Sequence, residues 1–236
     1  ALLAFEVAVA YSAGKQPEQA VRLLHGAMAV RPDALPVRRT LASLYELELQ
    51  DPVRAETFVR ESLRRQPGDA YLHQRLASSL LAQERYDPLG LPLTRQPSTP
   101  RRDEAVANLR MALQFGAHPD YHQVLANTLA GLGRFEESVA EAQAGLALAQ
   151  RIPCDAETQS ALYHTLGGAL NRLNRFEESV AALRQAVAFG PEEPHAVCGL
   201  AKVLAVTDPA AGLATVEAFL ARHPDVASAH DTHSGL

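Results

Sequence analysis

The stretch that decides the fold occurs twice: residues 133–140 read GRFEESVA and residues 174–181 read NRFEESVA. The copies begin 41 residues apart (174 − 133 = 41) and share seven consecutive letters. In the second copy, Phe176 and Val180 begin an apolar stripe at helical spacing, and another such stripe precedes it. Asn174 lies between the stripes, where a helix-ending residue of left-handed conformation is typical. The stretch therefore predicts the turn and second helix of a helical hairpin.

The first copy follows the same plan. Leu125 and Leu129 belong to one helical stripe, and Phe135 and Val139 to the next. Glycine at position 133, in the turn between them, stands where the second copy has asparagine. The sequence therefore contains at least two copies of one supersecondary unit. Such units occur in tandem, so further copies are expected along the chain.

The paired glutamates of each copy are candidates for acid–base catalysis. They occupy positions 136–137 and 177–178, in the predicted first turn of a helix. The helix dipole favours carboxylates there, which is a sufficient structural reason for them. Adjacent carboxylates on an exposed turn lack the burial that separates two pKa values for catalysis. We assign no catalytic residue, and the chain is not expected to be an enzyme.

Small and large residues recur along the chain in a pattern that resembles the tetratricopeptide repeat (TPR) family. The family's 34-residue unit fixes such residues at set positions, where the first unit has Val7, Ala8, Tyr11, Ala20, Leu24, Ala27 and Pro32. Five further units follow, with Leu41-Ala42, Leu76-Ala77, Leu125-Ala126, Leu166-Gly167 and Leu200-Ala201 at the seventh and eighth positions. The resemblance implies an all-α fold, a right-handed α-α superhelix that forms a TPR solenoid of antiparallel helix pairs.

We expect one solenoid domain over residues 1–236. Its repeats are predicted at 1–34, 35–69, 70–118, 119–159, 160–193 and 194–226, and residues 227–236 are a truncated seventh repeat or a tail. Both ends fall inside a repeat, which indicates a fragment or a domain of a longer protein.

One insertion interrupts the third repeat. Residues 87–102 contain four prolines, which lack the N–H that a helix interior needs, so a loop is predicted. Two interpretations stay open: the loop covers a groove or carries a partner site, or it is a tolerated surface insertion.

Composition excludes several classes of function. A net charge of −5 argues against a general nucleic-acid binder, which needs a basic stripe to neutralise phosphates. The two cysteines form no disulfide framework or zinc pattern, and no set of histidines completes a metal site. No apolar run reaches the roughly 18 residues of a membrane span. We expect no cofactor and no metal, and a cytoplasmic location.

The resemblance also implies where a partner binds, because the first helix of each TPR unit lines a concave groove. The family's groove positions correspond here to Phe5, Arg39, Ser43, Gln74, Arg75, Ser78, Gln123, Asn127, His164, Asn171, Arg172 and Lys202, with Thr165 and His195 at further groove positions. Glutamine and asparagine can pair with a peptide backbone, and arginine with its carboxylates. The alternative is that these are simply the helix faces that no neighbour buries.

Two functions are consistent with the sequence. The first is a non-enzymatic scaffold that binds a peptide segment or partner helix of another protein in this groove. The second is the substrate-recognition arm of a larger bacterial enzyme, of the glycosyltransferase, sulfotransferase or oxygenase type. Self-association through exposed end repeats is a further alternative.

Overall fold

The computed structural model describes residues 16–83 and 99–236. These residues form helices and contain no β-strand, which confirms the predicted all-α fold for the described part of the chain. The helices are α1 Pro17–Val30, α2 Leu35–Ser43, α3 Pro52–Arg65, α4 Ala70–Gln83, α5 Pro100–Phe115, α6 Pro119–Gly131, α7 Phe135–Ala149, α8 Ala156–Arg172, α9 Phe176–Phe189, α10 Pro194–Thr207, α11 Pro209–Leu220 and α12 Ala227–Gly235.

The chain divides into two compact units, Ala1–Ala117 and His118–Leu236. In each unit, helices that follow one another in sequence pack together as hairpins. Alternate helices also touch: α2 packs on α4 in the first unit, and α6, α8 and α10 pack in series in the second. This is the arrangement expected of stacked helical hairpins. The prediction of a single solenoid domain stays a prediction, as do its repeat boundaries.

In the first unit, α2 continues into a π-helical turn, Leu44–Glu48, before α3 begins. Aspartate and threonine side chains cap three helices of the first unit. Asp51 accepts a hydrogen bond from the third residue after it at the start of α3, and Thr99 does the same for α5. Asp69 accepts from the Leu72 amide at 3.0 Å at the start of α4. Each cap satisfies an amide that the helix itself cannot pair.

Two buried polar side chains tie successive hairpins of the first unit together. The side chain of Arg38, a residue only 1% exposed, donates to the carbonyl oxygen of Pro32 at 2.8 and 2.5 Å and to the Ser62 hydroxyl at 3.0 Å. His73 lies 35 residues later and contacts the Pro67 carbonyl oxygen at 2.8 Å in the same way. A buried cation needs such partners, so these bonds fix the start of each hairpin against the turn before it.

In the second unit, the two copies of the repeated stretch have matching geometry. Asn174 has a φ angle of 60° and Gly133 one of 75°, so both residues end their helix in the left-handed conformation, as expected. The following amides, of Arg175 and Arg134, donate back into the preceding helix at 3.0 and 2.9 Å. The identical letters therefore encode identical turns.

The serine of each copy closes the hairpin. Ser138 donates its hydroxyl to the Ala126 carbonyl oxygen at 2.8 Å, and Ser179 donates to that of Gly167 at 2.7 Å. Both serines are fully buried. At this crossing, a Cβ atom on Gly167 would lie 2.5 Å from Cγ of Leu183. The glycine thus allows α8 and α9 to approach closely.

The paired glutamates of the repeated stretch are surface residues at helix starts. Glu137 binds the guanidinium group of Arg134 at 2.6 Å, and Glu178 binds that of Arg175 at 2.7 and 2.6 Å. Both arrangements are bidentate and exposed. The predicted placement of all four glutamates in the first turn of a helix is confirmed.

Two predictions fall on residues that the structure does not describe. Phe5, the apolar end of the predicted groove, lies outside the described ranges. So do residues 87–98 of the proline-rich insertion. The predicted loop over 87–102 is wrong at its end, because residues 100–102 form the first turn of α5, where proline is tolerated, and Thr99 caps that helix.

Candidate functional site

The second unit contains a groove with a cavity of about 670 Å³. Gln123 and Asn127 of α6 form one wall, and Ala161, His164 and Thr165 of α8 form its floor. The turn from α9 to α10 forms the other wall, with Gly190, Pro191, Glu192, Glu193 and His195. Its volume lies within the roughly 300–1,000 Å³ typical of ligand pockets.

The start of α8 is held against α6 and α9, which fixes the shape of the groove. The side chain of Asp155 accepts from the Thr158 amide at 2.6 Å, and the Thr158 hydroxyl donates to Asp120 at 2.9 Å. Ser160 donates to the Ala186 carbonyl oxygen at 2.9 Å. A Cβ atom at Gly190 would lie 2.7 Å from the Ser160 hydroxyl oxygen. Because Gly190 has no side chain, the turn after α9 can approach the start of α8 this closely.

Three of the predicted groove residues come together here: Gln123, Asn127 and His164. Thr165 and His195, also mapped to groove positions, line the same cavity. Within residues 16–83 and 99–236, neither the two amide side chains nor the His164 ring makes a hydrogen bond to another side chain or to the backbone. Their donors and acceptors are therefore available to a ligand.

Burial shapes the electrostatics of His164. Desolvation, the largest effect, lowers the pKa of His164; the neighbouring His195 lowers it further, and Glu193 opposes the shift. A neutral imidazole offers one donor and one acceptor, so His164 suits hydrogen bonding to an uncharged peptide group.

The other predicted residues of the second unit lie outside this cavity. The Arg172 guanidinium carbon stands 5.3 Å from the centre of the Phe135 ring, a cation–π contact between α8 and α7. Lys202 is exposed on α10, and Asn171 is partly buried near the end of α8. None of the three lines the groove around His164.

In the first unit, the predicted residues bind one another and their neighbours. The guanidinium groups of Arg39 and Arg75 lie 5.7 and 5.1 Å from the centre of the Tyr71 ring. Arg39 also pairs with buried Asp69 at 3.1 Å, and Arg75 pairs with Glu46 at 3.4 Å. The side chains of Arg75 and Glu46 are 16% and 13% exposed, so this pair lies mostly inside the protein.

The polar residues of this first-unit network are also engaged. Ser43 shares a hydrogen bond with the Tyr71 hydroxyl. Gln74 donates to Ser78 at 3.0 Å and accepts from Arg75 at 2.7 Å. The network holds α2 against α4, and its side chains have less bonding capacity left for a ligand than those of the second unit.

Sequence reasoning missed the carboxylates of the groove. Glu157 lies in the first turn of α8, and Glu192 and Glu193 lie in the turn before α10. The family's groove positions lie within the first helix of each predicted repeat, so they leave out Glu157, which precedes the predicted fifth repeat, and the turn before α10. The two adjacent glutamates after Pro191 were the only sequence signal.

The described residues contain neither a candidate metal site nor a candidate membrane span. Among the residues that the structure describes, no three His, Cys, Asp or Glu side chains are grouped closely enough to hold a metal ion. None of the described helices has the length and apolar character needed to cross a bilayer.

Comparison with known proteins identifies the repeat. A family model described as the tetratricopeptide repeat matches residues 160–191, which include the Ser179 crossing and most of the groove floor. Residues 160–191 are a tetratricopeptide repeat, and the described helices have the fold of tetratricopeptide-repeat proteins. No curated protein matches it in sequence.

Solved structures share the TPR fold. One chain of the APC/C hetero-tetramer Cut9–Hcn1 has a TM-score of 0.77 at 15% identity over 99% of this chain; this chain spans 42% of that one. PilF of Pseudomonas aeruginosa has a TM-score of 0.74 at 14% identity, over 99% of this chain and 96% of its own. YrrB, described as a TPR protein with an unusual peptide-binding site, has a TM-score of 0.63 at 14% identity, over 89% and 97%. At these identities the likeness shows the fold alone.

Proposed function

We propose that this TPR protein is an interaction scaffold that binds an extended peptide segment of a partner protein in the groove of its second unit. The observation that carries the proposal is the set of unpaired polar side chains on the groove wall and floor. Gln123 and Asn127 each offer an amide donor and acceptor with no partner among the described residues. Two such amides, four residues apart on one helix face, can pair with a peptide backbone.

The groove also provides apolar surface. Phe189 and Pro191 line it on one side, and Ala161 and Ala196 contribute small side chains. An occupant would gain from burial of apolar atoms at about 25 cal/mol per Å², while the amides fix its register. YrrB, a structural neighbour, is described as a TPR protein with an unusual peptide-binding site.

The first unit is a poorer candidate for the peptide-binding site, because its arginines are already paired with carboxylates. A peptide carboxylate that reached Arg75 would have to displace Glu46, and one that reached Arg39 would have to displace Asp69. Displacing Glu46 breaks a largely buried pair, and displacing Asp69 leaves a buried carboxylate without its cation, so both exchanges are costly.

Peptide selection tests the proposal. Random dodecapeptides displayed on phage are selected against the full chain, and the enriched peptides are synthesised with a fluorescein label. Their dissociation constants are measured by fluorescence anisotropy. The Asn127→Leu variant keeps the approximate size of the side chain and removes its hydrogen-bonding groups. It should weaken binding about tenfold, since two lost hydrogen bonds are worth about 1–3 kcal/mol.

Gln143→Leu is the matched control, because Gln143 is exposed on α7 and does not line the groove. It should leave the dissociation constant within about twofold. The proposal is wrong if no peptide is enriched, or if Asn127→Leu and Gln143→Leu bind the peptides as tightly as the original chain does.

A further inference from the structure

The groove of the second unit is acidic. Three carboxylates line it, those of Glu157, Glu192 and Glu193, and no lysine or arginine is among its lining residues. This differs from the first-unit network, where Arg39 and Arg75 stand beside carboxylates.

Glu192 already has partners inside the chain. One of its oxygens lies 3.4 Å from the Arg222 guanidinium group, and the other lies 2.5 Å from His223 Nε2. Because both of its oxygens are engaged, Glu192 is the least available of the three.

Of the other two carboxylates, Glu157 has no partner within the described ranges and Glu193 contacts only the exposed His195. Within the described ranges, Glu157 makes neither a hydrogen bond nor an ion pair; its helix is capped instead by Asp155. Glu193 holds the capping position of α10, but its side chain accepts no capping hydrogen bond and turns to His195 at 2.9 Å. The capping aspartates elsewhere in the chain, such as Asp208, do accept one.

The charge that remains matches one cation. Glu157 and Glu193 contribute two negative charges, and each stands at a helix N-terminus that contributes roughly +0.5. Their sum is about −1. Because His164 is partly buried among these groups and its pKa is lowered, its ring adds no charge at neutral pH.

We infer that this groove recognises an extended segment by one lysine or arginine side chain, held between the carboxylates of Glu157 and Glu193, and that it rejects an acidic side chain there. This inference rests on the proposed function and names the chemistry of the partner at that same site. The amides of Gln123 and Asn127 bind the backbone of the segment, and the carboxylates of Glu157 and Glu193 bind its positively charged side chain. A guanidinium or ammonium group gains charge-assisted hydrogen bonds from them.

The test compares one selected peptide in three forms. Peptides enriched on the full chain should contain lysine or arginine at one recurring position. The fluorescein-labelled peptide is made with lysine, norleucine or glutamate at that position, and anisotropy is measured at pH 8.0, above the ordinary titration range of histidine. The norleucine form should bind about five- to tenfold more weakly than the lysine form, since two partly exposed ion pairs are lost. The glutamate form should bind more weakly still.

Variants of the protein test whether Glu157 and Glu193 cause the preference for the lysine form of the peptide. In Glu157→Gln/Glu193→Gln, the lysine and norleucine forms should bind within about twofold of each other, while the norleucine form keeps its original affinity. Glu136→Gln/Glu177→Gln removes the same net charge from exposed positions outside the groove, and it should preserve the preference for lysine. Circular dichroism of both double variants shows that the helices are retained. Raising the salt from 50 to 500 mM should reduce the preference for lysine in the original chain.

The outcomes separate this inference from the proposed function. Suppose that peptides bind and lose affinity in Asn127→Leu, but that lysine and norleucine forms bind equally well: peptide binding then stands, and charge recognition is wrong. A preference for lysine that survives in Glu157→Gln/Glu193→Gln would also overturn the inference. If Asn127→Leu leaves binding unchanged, the proposed function itself fails.

Discussion

Replacing Gly167 by alanine tests how closely α8 and α9 approach. A Cβ atom there would lie 2.5 Å from Cγ of Leu183 and 3.2 Å from the backbone oxygen of Ser179. Leu183 is only 1% exposed, so its side chain has no open space to move into. Overpacking of this kind costs about 1–3 kcal/mol. The alanine also gains about 0.5–1 kcal/mol over glycine in a helix, so the net fall in the free energy of unfolding should be about 1 kcal/mol and at most about 2.5 kcal/mol.

Gly168 is the matched control. It is the next residue of the same helix, it is exposed, and an added Cβ atom would meet nothing within 4 Å. Gly168→Ala therefore gains the helix propensity of alanine without a steric clash. It should raise the free energy of unfolding by about 0.5–1 kcal/mol. The two variants change the same residue type in the same repeat, so they report on the same unfolding transition.

Urea denaturation followed by circular dichroism at 222 nm measures both variants. A difference of about 2 kcal/mol corresponds to roughly 1 M in the midpoint at a slope near 2 kcal/mol/M. Gly168→Ala should have the higher midpoint and Gly167→Ala the lower one. Equal midpoints, or a Gly167→Ala variant more stable than the original chain, would refute the close approach of the two helices.

Three further predictions rest on other contacts. Ser179→Ala removes a buried hydrogen bond of 2.7 Å and should lower the free energy of unfolding by about 1 kcal/mol in urea; no change would show that the bond adds nothing. Arg38→Met leaves the Pro32 carbonyl group without that donor and should cost about 2–3 kcal/mol, while Arg64→Met on the exposed face of α3 should change stability by less than about 0.5. The pKa of His164 is lowered by burial, so the unfolded chain binds the proton more readily and stability falls as the pH drops below about 6.5. His164→Gln should flatten stability against pH in that range, and an unchanged slope would contradict the assignment.

The turn and crossing residues of the repeated stretch were predictable because each has one local cause. Left-handed backbone conformation favours asparagine and glycine, so Asn174 and Gly133 mark the turns from sequence alone. A small residue is needed where two helices cross, so Ser138 and Ser179 also have an evident position. Such residues depend on their own hairpin and not on distant parts of the chain.

The candidate site was only partly predictable because pairing between side chains depends on neighbouring hairpins. Arg75 and Asn127 occupy comparable groove positions in sequence, yet one is paired inside the protein and the other is not. That difference comes from Glu46, whose position beside Arg75 depends on how α2 and α4 pack. Glu193 was missed for a related reason, since its turn reaches the groove only when α9 and α10 are stacked.

The buried polar contacts of the first unit show the same dependence. In sequence, Arg38 and Arg39 are adjacent cations; the family's groove positions include Arg39, but nothing in the sequence predicts that Arg38 is buried. In the structure Arg38 is 1% exposed and bonded to a carbonyl oxygen, whereas the Arg39 side chain is 44% exposed. Helical periodicity separates their faces, but only packing shows which face is buried.

The location of the binding site is tested most directly by a nuclear magnetic resonance titration. The full chain, labelled with ¹⁵N, is titrated with an unlabelled selected peptide, and side-chain amide signals are followed. The largest shifts should occur at the side-chain amides of Gln123 and Asn127 and at the backbone amide of Gly190, with Gln74 and Gln143 unchanged. Shifts that concentrate on Gln74 and its neighbours in the first unit, with none at Gln123 and Asn127, would contradict binding in the groove of the second unit.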